Sequence, residues 1–285
     1  MIFIKRLALV TFLFVVTVTS VSAKNKINVF VSILPQQNFV QQVGGEYVDV
    51  HVMVGPGQNP TTYEPTPQQM AALANADIYF SIGVPFEKVW LDKIMQSNNN
   101  LEIVECCKSL SDIDGHSHDD ENSLDPHIWT SPKKVILLVK LIEKALIKVN
   151  VENSAVFKSF ADSFINKLNK LDESIDSQLS GLQQRNFIVS HPSWGYFSRD
   201  YNLTQISIEQ NGKEIQARSM VRLIKLAKQK NIKAVFVQKQ FNDKAALTIA
   251  KEIHAAVYEI DPLAFDYIDN MNDVTNKIVK GLSNE

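Results

Sequence analysis

From Asn153 to Leu182 the chain carries an apolar stripe that fits one secondary structure. Phe157, Phe160, Phe164, Leu168, Leu171, Ile175, Leu179 and Leu182 follow one another at spacings of 3, 4, 4, 3, 4, 4 and 3, the period of one helix face. At 1.5 Å per residue such a helix runs about 45 Å, enough to reach from one end of a two-domain body to the other. The stripe covers only about four heptads and has other structure on both sides, so a spine packed on both neighbours is expected rather than an isolated coiled coil.

On either side of this helix, short β-rich runs alternate with helix-period segments. Ile27 to Ile33, Val48 to Val54, Ile78 to Ile82 and Leu101 to Val104 read as strands of a first half. Phe39, Val40 and Val43 mark one helix face between them, Met70, Leu73 and Ala74 a second, and Val89, Trp90 and Ile94 a third. The alternation returns with strands at Phe187 to Ser190, Gln205 to Ile208, Ala234 to Val237 and Ala256 to Ile260, and helices around Met220 to Ala227 and Ala245 to Ile253. Strand-helix-strand repetition predicts parallel sheets covered on both faces. The expected class is α/β: two four-stranded Rossmann-like domains joined by one long helix. The expected divisions are residues 24–149, with a His/acidic loop at 114–125, the linking helix 150–184, and residues 185–285.

The first 23 residues stand apart. Lys5 and Arg6, the apolar run Leu7 to Val18 and the small-residue end Val21-Ser22-Ala23 form the pattern of a cleaved signal peptide; the run is shorter than the ~20 residues a membrane span needs. A periplasmic, monomeric protein is therefore expected. A net charge of -2 gives no basic surplus to attract nucleic acid or an anionic membrane. The only cysteines, Cys106 and Cys107, are adjacent and ill placed to bridge each other; they read as small hydrophobes, with a vicinal-thiol metal site as the alternative.

Six histidines are sorted by their surroundings. His51 lies within a strand run and His254 at a helix end, which suits structural roles. His116 and His118 share the acidic loop with Asp119, Asp120 and Glu121, a composition that collects divalent cations weakly. His127, in Asp125-Pro126-His127-Ile128-Trp129, and His191, in Ser190-His191-Pro192-Ser193-Trp194, stand in restrained surroundings. Asp261 follows the last strand and precedes Pro262. Open α/β sheets place ligands at such carboxyl ends. Two imidazoles and a carboxylate suit a borderline divalent ion, zinc first, although the three are far apart in the chain and no short motif joins them.

In order along the chain, Pro56-Gly57-Gln58-Asn59-Pro60-Thr61-Thr62-Tyr63-Glu64-Pro65-Thr66-Pro67, Asp125-Pro126-His127-Ile128-Trp129, His191 with Gly195-Tyr196-Phe197, and Asp261-Pro262-Leu263 resemble the metal-specific solute-binding proteins of bacterial ABC transporters, the ZnuA/TroA-like zinc and manganese uptake type. The resemblance covers essentially the whole chain after residue 23. It implies two four-stranded domains joined by a long helix, a metal ion in the cleft between them, often a His-rich or acidic loop near Asp114 to Asp125, and delivery of the ion to a transporter permease in the inner membrane. His127, His191 and Asp261 match three of the family's four ligand positions. The fourth departs: Thr61 stands where the family has histidine, and a hydroxyl is a poor zinc ligand. Water or a bidentate Asp261 is the expected replacement, with His116, His118, Gln238, Glu209 and Glu214 as further candidates.

The expected cargo is zinc, with manganese or iron(II) as alternatives, and the spine predicts only a small adjustment of the second domain on metal release. Two rival readings accompany it. A metalloenzyme would use three ligands and one open position, but no general base sits in an evident motif beside them. A periplasmic chaperone or adhesin of the same fold would lack the transporter.

Overall fold

The computed structural model describes residues 26–114, 125–209, 214–241 and 243–283; the signal segment, His116 and His118 lie outside them. The first sheet holds β1 (Ile27–Ile33), β2 (Val48–Val54), β3 (Ile78–Ser81) and β4 (Glu102–Glu105) in the order β2-β1-β3-β4. The second holds β5 (Asn186–Val189), β6 (Thr204–Ser207), β7 (Ala234–Val237) and β8 (Ala256–Glu259) in the order β6-β5-β7-β8. Every pairing is parallel, so the same topology occurs twice. The cause is legible in β1, whose residues Ile27, Val29, Phe30, Val31 and Ile33 are all buried, as a strand covered on both faces requires.

Around the sheets lie α1 (Leu34–Gly44), α2 (Pro67–Leu73), α3 (Pro85–Ser97), α4 (Cys106–Asp114), α5 (Pro132–Val149), α6 (Ser154–Ser180), α7 (Gly195–Asp200), α8 (Ala217–Gln229), α9 (Lys244–Ile253) and α10 (Tyr267–Leu282). None of the described helices is long and apolar enough to cross a membrane. Starts are encoded locally. Thr66 accepts the Gln69 amide hydrogen bond ahead of Pro67, and Ser131 accepts that of Lys134 ahead of Pro132, so each cap satisfies an otherwise orphan donor while proline fixes the first turn.

The spine is α6. It buries Phe157, Ala161, Phe164, Leu168, Leu171, Ile175 and Leu179 and packs against α1 and α5 of the first half and α10 of the second. Phe160 departs from the expected stripe and is 37% exposed; Ala161, four residues after Phe157, takes the inner place. The Phe160 ring instead lies over Gly45, whose φ is +53° and where an added Cβ would come within 2.6 Å of the ring. On α3 the expected Ile94 is buried and Trp90 packs against the core, but Val89 departs from the expected face at 63% exposed, and Phe86 and Glu87 point inward instead. Helices α4, α5, α7 and α10 add to the elements expected from periodicity.

One core runs through both halves, from Val29 and Val31 past the α6 stripe to Phe187, Val189, Phe236 and the Met271, Val274 and Ile278 face of α10. A smaller cluster contains Ile188, Val235, Val237, Leu223 and Ile249. Alternate residues of β5 and β7 thus serve opposite faces of the second sheet, as period-two side chains must. The edge-to-face contact of Phe39 on α1 with Tyr267 on α10, centroids 4.9 Å apart, ties the halves directly. The segments that follow the strand ends carry the residues of the site below.

Candidate metal centre

His127 comes one residue after Pro126 and starts the short 3-10 turn Ile128–Thr130; His191 follows the end of β5. The structure brings them together. Their Nε2 atoms are 3.3 Å apart, and each side chain is only 15% exposed. Both rings are backed by carboxylates: Nδ1 of His127 bonds Asp125 Oδ1 at 2.6 Å, and Nδ1 of His191 bonds Glu209 Oε2 at 2.8 Å. An ionised carboxylate only accepts, so each Nδ1 carries a proton, and in the neutral form each ring turns an unprotonated Nε2 toward the other. Two lone pairs so placed repel unless a cation or proton lies between them.

The backing groups are themselves held. Asp125 Oδ1 also accepts the His127 backbone N–H at 3.0 Å, and the Asp125 carbonyl accepts from Tyr196 Oη at 3.1 Å. Gly195 admits the Asp125 carboxylate, since a Cβ there would stand 2.8 Å from Oδ2; this accounts for Gly195 and Tyr196 in the motif. Burial pushes the Asp125 carboxyl up, but the bonds and charge of His127 and the charge of Arg199 outweigh it and leave the pKa below its ordinary value. Phe241 stacks on His191, centroids 4.2 Å apart and planes 13° off parallel. Beneath, fully buried Gln238 donates to the His191 carbonyl at 3.2 Å and to Ser193 Oγ at 3.0 Å.

A cavity of about 530 Å³ opens on both imidazoles and is walled by Thr61, Val84, Trp129, Pro262 and Leu263 among others. Thr61 therefore stands at the site, with its amide bonded to Asn59 Oδ1 at 2.8 Å. Asp261 does not join the pair. Its Oδ1 accepts from Gln240 Nε2 at 2.9 Å and from the Leu263 amide at 2.8 Å, and it lines a neighbouring cavity that shares Leu263 with the first. Among the described residues, no three His, Cys, Asp or Glu side chains are gathered to hold an ion.

The remaining candidates are placed elsewhere. His51 stacks on Phe30 at 4.9 Å near Asp49, and His254 forms the left-handed cap of α9 at φ +53°. Cys106 and Cys107 are both free thiols, the first buried. Burial raises both pKa values, that of Cys107 to about 11, so neither is a ready thiolate. Sequence reading missed Asp125 as a partner of His127 and offered Glu209 only as a further candidate for the fourth ligand, not as the group behind His191. The signal available was position, since Asp125 stands two residues before a candidate ligand and Glu209 two residues past the end of β6.

Residues 29–281 match the family model of the zinc-uptake complex component A, periplasmic, ZnuA. A crystal structure of ZnuA is similar with a TM-score of 0.85 and 39% identity, covering 91% of this chain and all of that one. A ZnuA deletion mutant with zinc bound is similar at a TM-score of 0.84 and 38% identity, with 92% and 100% covered. A putative metal-binding protein of Chlamydia trachomatis is 26% identical over 252 residues, which span 85% of this chain and 87% of that protein. With its two parallel sheets, spine helix and cleft-side imidazole pair, the chain belongs to the ZnuA family of periplasmic zinc-uptake components.

Proposed function

We propose that this protein captures a zinc ion between His127 and His191 outside the inner membrane and hands it to the permease of an ABC transporter. One observation carries the reading: the 3.3 Å between the two Nε2 atoms. Two nitrogens at ~2.05 Å from a zinc ion, subtending the tetrahedral angle, are about 3.3 Å apart. The pair is preorganised for that ion, with each Nδ1 fixed by a carboxylate as in carboxylate–histidine–zinc arrangements. The similar ZnuA structure that holds zinc supports the choice of metal.

Asp261 is the third donor in this reading. Both of its bonds given above fall on Oδ1, so ligation requires the carboxylate to turn from Gln240 and Leu263 toward the cavity. Thr61 leaves the fourth place to a molecule from outside the chain. The role is binding rather than catalysis, because Asp125 and Glu209 are committed to Nδ1 and neither stands ready as a general base. Export rests on the signal-peptide pattern of the first 23 residues.

Titration of the exported, metal-free protein with zinc, manganese and iron(II) tests this. Expected are one tight equivalent of zinc, loss of tight binding in His127→Ala and His191→Ala, and weakening in Asp261→Ala. Zinc binding indifferent to both histidines would refute the site.

A further inference from the structure

The net charge of -2 conceals a division. Between Ile215 and His254 the chain carries nine Lys and Arg against two Asp and Glu, a local +7 that leaves -9 over all other residues. Six of the nine cations, Arg218, Arg222, Lys225, Lys228, Lys230 and Lys233, belong to α8 and the segment between it and β7, and all six are exposed. Leu223 and Ala227 bury the inner face of α8 against the second sheet, so Arg218, Arg222 and Lys225, at spacings of four and three, form one outward stripe. None of the six joins an ion pair among the described residues, whereas Lys148 pairs with Glu102 at 2.7 Å and Lys277 with Asp273 at 2.6 Å. Cations three and four apart on a helix repel one another, and Arg218 stands in the first turn, where the helix dipole disfavours positive charge. The stripe therefore costs the fold stability. Apolar side chains stand beside it: Val221 is 68% exposed, and Leu247 on the adjoining α9 is 54% exposed.

From this face we infer that α8 docks on the anionic phospholipid headgroups of a membrane surface and holds the protein there peripherally. Cations together with exposed apolar side chains are what an interfacial helix presents to anionic lipid; here Arg218, Arg222 and Lys225 meet the phosphates while Val221 enters the headgroup layer. Four of the six cations are lysines, a residue depleted at protein–protein interfaces. Their strongly hydrated charges on flexible stems suit a fluid surface that imposes no fixed geometry on its partner. The inference is independent of the zinc reading, since none of the residues assigned to zinc lies on α8.

Sedimentation of the exported protein with vesicles of phosphatidylcholine containing about 30 mol% phosphatidylglycerol, and with vesicles of phosphatidylcholine alone, tests it. The expected result is binding to the anionic vesicles only, lost as salt rises from about 0.05 to about 0.5 M. Each cation close to such a surface is worth about fivefold in partitioning, so the triple variant Arg218→Gln/Arg222→Gln/Lys225→Gln should bind at least about tenfold more weakly, with thermal stability equal to the parent's or above it because the repulsion is relieved. The triple variant Lys144→Gln/Lys158→Gln/Lys170→Gln removes the same charge from exposed positions on α5 and α6 and should bind like the parent. Equal loss in both variants would mean that overall charge, not the α8 face, is attracted, and overturns the inference. Binding to neither kind of vesicle also overturns it, and retention on heparin in that case would assign the cations to an acidic macromolecule instead.

Discussion

The indole Nε1 of Trp129 donates to the carbonyl of Pro262 at 2.8 Å, across 133 residues of chain. Trp129 is two residues past His127, and Pro262 directly follows Asp261, so this bond locks the two parts of the proposed site at a fixed separation. Trp129→Phe leaves the Pro262 carbonyl without its donor and the pocket underfilled. The expected cost is about 1–3 kcal/mol of stability, with weaker zinc binding beside it. Urea unfolding and zinc competition check both; unchanged zinc affinity would show that the lock does not serve the site.

The same lock, with α6 against α1, α5 and α10 and Phe39 against Tyr267, leaves little freedom for one half to rotate on the other. Zinc removal should therefore shift side chains and loops at the site and leave the overall dimensions unchanged. Small-angle scattering with zinc and after chelation reads this directly. A clear change in radius of gyration would show a hinge instead.

Asp125 and Glu209 set which nitrogen of each imidazole carries the proton. In Asp125→Asn or Glu209→Gln the amide can present either an acceptor or a donor to Nδ1, so the orientation and basicity of the ring are no longer fixed. Zinc affinity should fall about 10–100-fold with little change in thermal stability. Loss of folding in both variants would make these carboxylates structural rather than positioning groups.

Along the spine, Phe157 is fully buried while Phe160 is 37% exposed. Phe157→Ala should cost about 3–5 kcal/mol and Phe160→Ala about 1 kcal/mol or less. Chemical denaturation of the two variants compares them. Equal costs would mean that the ring over Gly45 carries as much of the packing as the core ring.

These cases show what the sequence made legible. Hydrophobic periodicity located all eight strands, three with the observed limits and the rest off by a residue, because β7 is an unbroken apolar run and β1 and β2 keep an apolar residue at every second position. It misjudged Phe160 and Val89, since a single residue at the edge of a stripe is decided by what packs against it, and Glu87 broke the apolar pattern of α3 from within. His127 and His191 were legible from their restrained settings and the family resemblance. The carboxylates behind them were not, because a pairing such as His191 with Glu209 depends on β5 and β6 being neighbours, which local pattern does not reveal. The separate setting of Asp261 is likewise a product of Gln240, which reaches it from the end of a different strand.

Glu87 offers a pH test independent of the metal. It is 4% exposed, and its carboxylate accepts from Ser32 Oγ, from the Ile82 amide at 2.9 Å and from the Gly83 amide at 2.7 Å. Burial drives its pKa up from 4.5 to about 7; the three hydrogen bonds offset part of this, and the charge of Glu105 adds to it. Between these two values the folded protein keeps a proton that the unfolded chain has released. Stability from this group is therefore full at low pH, falls as pH rises through the window and levels off above about 7, by an amount on the order of 3 kcal/mol. Glu87→Gln removes the titration but cannot accept all three bonds, because its amide nitrogen is a donor. The variant should be less stable than the parent near pH ~5, with the deficit narrowing toward pH ~8. Urea unfolding of both proteins across that range gives the comparison; a parent-minus-variant difference that stays constant with pH would mean that Glu87 has the same proton affinity folded and unfolded.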